Sequence, residues 1–110
     1  MRERRQNRLI DLIRDLAAKF LELESNRTSL ISVTRVEMSK SGKNMNIHLS
    51  VFPTKNEDQA YDFVSRKGTE FRKFVAANTK IKMLPNFVFN IDKGEKNRQR
   101  IEELLRKANS

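Results

Sequence analysis

Residues 58–92, DQAYDFVSRKGTEFRKFVAANTKIKMLPNFVFNID, constrain this chain most, because the spacing of their apolar residues changes part-way along. Ala60, Phe63, Val64, Phe71, Phe74 and Val75 recur at threes and fours, the period of a helix. From Ile81 the period falls to two, which places Ile81, Met83, Phe87, Phe89 and Ile91 on one side of a long strand. Two residues conflict with an uninterrupted helix. Gly68 costs about 1 kcal/mol relative to alanine in a helix interior. Lys67 would point into the middle of the apolar face, where an unpaired charge is expensive. A break or kink near residues 66–69 relieves both, since glycine permits the backbone angles a break requires. The stretch reads as helix, kink, helix, strand.

The chain on either side supplies what such a unit packs against. Residues 3–23 read as an amphipathic helix with Leu9, Leu12, Ile13, Leu16, Phe20 and Leu23 in one stripe. Its polar face mixes Arg5, Asp11, Arg14, Asp15, Lys19 and Glu22, so it is expected to dock on a sheet rather than lie on a membrane. Ser25-Asn26-Arg27-Thr28 is a polar connector. In residues 30–38, Ile31 and Val33 share one parity and Val36 and Met38 the other; this phase change near Thr34-Arg35 signals a bulge or a strand covered on both faces. Residues 39–43, SKSGK, form a turn. A regular strand over residues 44–52 then turns Met45, Ile47, Leu49 and Val51 inward and Asn44, Asn46, His48 and Ser50 outward. His48 is thus expected as an exposed strand residue, not a ligand or base.

Pro53 ends that strand. Asn56 is the expected N-cap of the next helix, with Glu57 and Asp58 in its first turn. Pro85 implies an edge position or a bulge for the last strand. Asp92-Lys93-Gly94 closes it, and residues 95–108 form a final helix with a short stripe of Ile101, Leu104 and Leu105. Three strands with apolar parity on one side need a helical layer, which makes a two-layer α+β sandwich in the order α-β-β-α-kink-α-β-α.

With 110 residues the chain suits one domain. It has no cysteine and a single histidine, which removes disulfides and thiolate chemistry and argues against a dedicated metal cage. There is no Gly-rich phosphate loop, no GxSxG, no HExxH and no carboxylate cluster at metal-ligand spacing, so an enzyme is not expected and no cofactor is implied. No apolar run is long enough for a membrane span or signal segment, so a cytoplasmic location is expected. The formal net charge of +9 instead points to a polyanionic partner.

The placement of the cations sharpens that expectation. Arg66, Arg72 and Lys73 project away from the Phe63/Phe71/Phe74 stripe, and Lys67 joins them if the kink releases it. Lys80 and Lys82 fall on the opposite parity from Ile81 and Met83. Together they read either as an ordinary solvated face or as a phosphate-tracking surface centred on the kink, where amides freed by the helix break also donate to phosphate oxygens; the second is the functional expectation. Neutralising about six phosphates on single-stranded RNA gives a log–log salt slope of about −4. Arg4, Arg5 and Arg8 are secondary candidates. Tyr61 and Phe52 are the only candidates for base stacking, so recognition of backbone and shape is expected more than base reading.

This pattern resembles the ribosome-binding factor A family, small bacterial assembly factors with a KH-like domain of the second type. The likeness covers nearly the whole chain. It runs through the first helix, Val36-Glu37-Met38-Ser39, Asn46-Ile47-His48-Leu49-Ser50-Val51-Phe52, Lys67-Gly68, Phe71-Arg72-Lys73-Phe74-Val75 and Leu84-Pro85-Asn86-Phe87-Val88-Phe89-Asn90-Ile91-Asp92. In that family a helix-kink-helix carrying Ala-x-Gly replaces the GxxG loop of ordinary KH domains. Arg66-Lys67-Gly68 corresponds to it here, with Arg in place of Ala; the alternative register, Lys67-Gly68-Thr69, loses the glycine match. Ser41 stands where the family often has Asp, and the Asp-Pro-Arg before the first strand is absent around Ser25-Asn26-Arg27.

The resemblance implies a type II KH-like RNA-binding domain over residues 1–94 and a C-terminal helical tail over residues 95–110. It implies a protein that binds the small (30S) ribosomal subunit and its 16S rRNA late in biogenesis and aids rRNA processing without catalysis; a monomer is expected from the lack of a strong exposed apolar patch in the sequence. Gly68 joins the RNA-binding set on the ground of the resemblance. Two other readings are a generic single-stranded RNA- or DNA-binding KH-like protein and a protein-interaction module that docks through its first or last helix.

Overall fold

The computed structural model describes the backbone at residues 2–24 and 29–108, and side chains at residues 6–24, 29–92 and 100–108. The connector at Ser25-Asn26-Arg27-Thr28 and the terminal Asn109-Ser110 lie outside the described residues. The elements are α1 (Arg2–Glu24), β1 (Leu30–Met38), β2 (Asn44–Phe52), α2 (Glu57–Arg66), α3 (Gly68–Asn78), β3 (Asn86–Ile91) and α4 (Lys93–Ala108). The expected two-layer α+β sandwich of KH-like type is what forms.

The three strands lie in the order β1-β2-β3, with β1 antiparallel to β2 and β3 parallel to it. A parallel neighbour requires a crossover, and α2 and α3 provide it across the inner face. β2 is central and alternates as expected: Met45, Ile47, Leu49 and Val51 are buried on the helical side. The β1–β2 hairpin closes through Ser39 and Asn44, whose amide and carbonyl pair at 2.9 Å, and Gly42 takes a positive φ of 74°.

In β1 the phase change is a bulge. Pairing passes from Val33–Leu49 to Arg35–His48, leaving Thr34 as the extra residue. The bulge re-aims Thr34, whose hydroxyl donates to Asp92 Oδ2 at 2.5 Å and lies 3.2 Å from the His48 carbonyl. Arg35 adds its Nε at 3.6 Å from the same carboxylate oxygen. Asp92, a buried carboxyl group, ties the end of β3 to the bulge in this way.

Four expectations need correction. The last strand does not begin at Ile81: residues 79–85 run outside any regular element, because Pro85 has no N–H for the ladder and the first paired residue is Asn86. β3 is an edge strand, one of the two readings open for Pro85. The α1 stripe is rotated: Ala17 and Leu21 are buried with Ile13, Leu16 and Phe20, while Leu12 and Leu23 are exposed. A short residue such as alanine lets the helix approach the sheet closely, so the seam follows Ile13, Ala17 and Leu21 as well as the larger side chains. His48 does face outward, yet it is mostly covered, flanked by Arg35 on β1 and Asn90 on β3, with Nε2 3.5 Å from Glu37 Oε2. The final helix begins at Lys93 with only Asp92 between it and β3, so Asp92-Lys93-Gly94 is not a separate turn.

Asn56 precedes α2 as expected, at the end of a 3₁₀ turn over Thr54–Asn56, but its side chain makes no capping bond. The core joins α1 to the broken helix through phenylalanines. Phe71 is fully buried, with ring centroids 5.3 Å from Phe20, 5.0 Å from Phe87 and 5.3 Å from Phe89. Edge-to-face contacts of this kind add about 0.5–1.5 kcal/mol each beyond burial.

Candidate nucleic-acid interface

The site begins with a conflict between charge and packing. Val64 and Phe71 are fully buried seven residues apart, and an unbroken helix would put Lys67 between them on the same face. The chain breaks at Lys67 itself, which has φ −93° and ψ 8° and belongs to neither helix. Those angles lie in the bridge region, which non-glycine residues adopt at turns without needing positive φ. Gly68, the first residue of α3, does not have positive φ, and a Cβ there would meet nothing within 4 Å. The break is thus not made by glycine's freedom, contrary to the sequence expectation; it is made because Lys67 has to leave the core.

The released ammonium is taken up locally. Lys67 Nζ lies 3.7 Å from Glu24 Oε2 at the end of α1 and 5.7 Å from the centroid of the Phe63 ring. Arg66 is exposed, with Nε donating to the Asp62 carbonyl at 3.3 Å, which leaves the rest of its guanidinium facing solvent. Lys67, whose ammonium can only donate, makes no side-chain cap on α3, and the helix opens on Gly68, which carries no Cβ. Glu70 is the acidic residue of its first turn.

Arg72 has a different task. Its Nη1 donates to the Pro85 carbonyl at 2.8 Å and its Nη2 to the Leu84 carbonyl at 3.2 Å. One turn beyond the break, it therefore pins the loop over residues 79–85 alongside α3. Lys80 and Lys82 are exposed on that pinned loop, and Lys73 is exposed on α3 next to Arg72. None of the three makes an ion pair or hydrogen bond among the described residues. The expected strand parity of Lys80 and Lys82 is replaced by an irregular loop, with Arg72 holding it beside the helix.

Arg8 is exposed on α1, sixteen residues before Glu24, or about 24 Å of helix from the end that meets Lys67. It does not join the surface at the break. Arg4 and Arg5 lie in the opening turns of α1, their side chains outside the described residues. Of the stacking candidates, Tyr61 is 38% exposed on α2 and Phe52 is 68% exposed at the end of β2. Neither is on the loop that carries Lys80 and Lys82. Among the described residues no group of three or more His, Cys, Asp or Glu side chains is placed to hold a metal ion, and no helix is long and apolar enough to cross a membrane.

A family model described as Ribosome-binding factor A matches residues 5–105. The chain belongs to the ribosome-binding factor A family. It is 29% identical over 105 residues to the ribosome-binding factor A of Thermomicrobium roseum, covering 93% of this chain and 81% of the relative. It is 28% identical over 106 residues to that of Coxiella burnetii, covering 94% and 89%. The crystal structure of ribosome-binding factor A from Thermus thermophilus superposes with a TM-score of 0.69, covering 77% of this chain and 92% of that one; at 20% identity this is a likeness of fold.

Within the ribosome-binding factor A frame, the break falls on the middle residue of Arg66-Lys67-Gly68. Two residues of the site escape the sequence reading. Glu24 gives no signal, because its partnership with Lys67 is a tertiary contact. Met83, expected to face inward on a strand, is instead 90% exposed at the loop. Pro85 two residues later is the available sign that the strand has not yet begun.

Proposed function

We propose that this chain is an assembly factor for the small (30S) ribosomal subunit, binding its 16S rRNA late in biogenesis and aiding maturation of that RNA by occupying it rather than by catalysis. It acts as a monomer in the cytoplasm. Family membership supports the ribosomal partner, since the relatives are named for ribosome binding. The observation that carries the RNA contact is the set of exposed, unpaired cations Lys73 on α3 and Lys80 and Lys82 on the loop that Arg72 holds, together with the uncapped start of α3 at Gly68. Cations and first-turn amides together suit phosphate oxygens, and they track a backbone without reading bases. Arg66 adds exposed guanidinium to this surface. Lys67 and Arg72 serve it indirectly, by shaping the break and holding the loop.

Cosedimentation with small ribosomal subunits at moderate salt tests this. The triple variant Lys73→Glu, Lys80→Glu, Lys82→Glu is expected to leave the subunit fraction while remaining folded, because all three side chains are exposed. Undiminished cosedimentation of the variant would exclude these residues from the interface. Equal affinity for unrelated RNA would favour a generic single-stranded binder over a ribosomal factor.

A further inference from the structure

We propose that Met83 is an apolar wedge that takes the face of an unpaired RNA base beside the basic surface. The proposal rests on the RNA-binding reading above and adds to it a contact that is not to a phosphate. A lone exposed apolar side chain is ordinary on a protein surface. Met83 is set apart by its degree of exposure, by how its loop is held, and by its neighbours.

At 90%, Met83 is the most exposed large apolar residue among those described. The residues around it behave differently. Ile81 and Leu84 are half-buried, Leu84 packs against the core cluster, and Pro85 is buried. The loop is pinned on both flanks. Upstream, the Thr79 hydroxyl donates to the Val75 carbonyl at 2.9 Å; downstream, Arg72 grips the Leu84 and Pro85 carbonyls and the Asn86 amide donates to the Lys43 carbonyl at 2.8 Å. A held loop with its other apolar residues turned inward thus projects one methionine directly after Lys82 and three residues after Lys80, both unpaired.

That combination fits a nucleic acid better than a protein. Protein interfaces also enrich methionine, but they deplete lysine, so the company of the methionine and not the methionine itself decides between the two. Here the immediate company is Lys80 and Lys82. Methionine is unbranched and polarizable and packs well against flat π systems. It is also among the apolar side chains that minor-groove-binding proteins insert between the base steps of a duplex. The lysines would hold the sugar-phosphate chain while Met83 covers a base face. Since every base has such a face, the contact selects unpaired over paired nucleotides and not one base over another.

The test compares the full chain with Met83→Ser and Met83→Leu on three ligands. These are a mixed-sequence single-stranded RNA oligonucleotide, the same oligonucleotide carrying abasic sites, and whole small ribosomal subunits, each titrated across salt. Met83→Ser is expected to weaken binding to the base-bearing RNA by about fivefold, at the low end for loss of a stacking contact. It should change neither the affinity for the abasic RNA nor the salt slope, and Met83→Leu should bind like the parent chain. Equal binding of Met83→Ser and the parent to the base-bearing RNA would overturn the wedge while leaving the RNA-binding reading intact. A loss seen on whole subunits alone would also overturn it, by assigning Met83 to a ribosomal protein. Failure of the parent chain to bind any of the three ligands would instead sink the underlying reading, and the wedge with it.

Discussion

Arg72 and Lys82 carry the same charge and belong to the same corner of the molecule, yet the structure employs them in opposite ways. The guanidinium of Arg72 is spent on two carbonyls of its own chain, Leu84 and Pro85. Lys82, on the loop those bonds hold, is exposed and meets no partner among the described residues. The planar fork of arginine suits a two-point brace, while a lysine ammonium remains a hydrated point charge on a flexible stem. A cluster of cations is therefore not yet an interface. Those already satisfied inside the protein shape the surface, and those left unsatisfied are available to a polyanion.

The contrast is most directly broken at Arg72. Replacing it with alanine leaves two carbonyls without their donor and should cost about 1–3 kcal/mol. In a melt this appears as a Tm drop of about 4–8 °C for each kcal/mol. Arg72→Lys should recover only part of it, because one ammonium cannot reproduce the two-point geometry. A melt of Arg72→Ala indistinguishable from the parent would return Arg72 to the free set.

Gly68 sharpens the comparison because stability and binding should move in opposite directions. Nothing in the fold requires glycine there, so Gly68→Ala is expected to stabilise by about 0.4–1 kcal/mol through the unfolded state. RNA affinity should nevertheless fall, since the added methyl group stands where a phosphate would approach the bare backbone. A variant that is more stable and binds as well as the parent would show that the ligand does not reach this turn.

The pairing of Lys67 with Glu24 is a smaller effect. Both side chains are partly exposed, and Lys67→Gln should change stability by no more than about 1 kcal/mol in chemical denaturation. The smallest stability changes belong to the free cations. Lys73→Ala, Lys80→Ala and Lys82→Ala should each leave stability within about 0.5 kcal/mol of the parent. Their signature is electrostatic: each should make the log–log salt slope of RNA binding shallower by about 0.7.

Much of this architecture is legible in the chain. The alternation of residues 44–52, the phase slip at Thr34 and the conflict around Lys67 each have a structural counterpart in β2, the bulge and the helix break. The misreadings share a cause. Ile81 and Met83 continue the parity of Phe87 and Phe89 by coincidence, and only the missing N–H of Pro85 opposes it, so periodicity extends the strand too far. In α1 the apolar residues are dense enough to allow more than one stripe. The choice of Ala17 and Leu21 over Leu12 and Leu23 is made by the surface they meet.

By itself, then, the order of residues determined the succession of helices and strands, which face of the central strand is apolar, and that a lysine could not remain in the middle of a packed helix. Those outcomes depend on local period and on the cost of burying charge, and both can be read along a single segment. The tertiary structure alone decided which cations are bound and which are free, and that Met83 projects outward while Leu84 packs inward. Such choices depend on groups distant in sequence, Arg72 against the Leu84 and Pro85 carbonyls and Lys67 against Glu24, which come within hydrogen-bonding or ion-pairing range only once the two layers have closed.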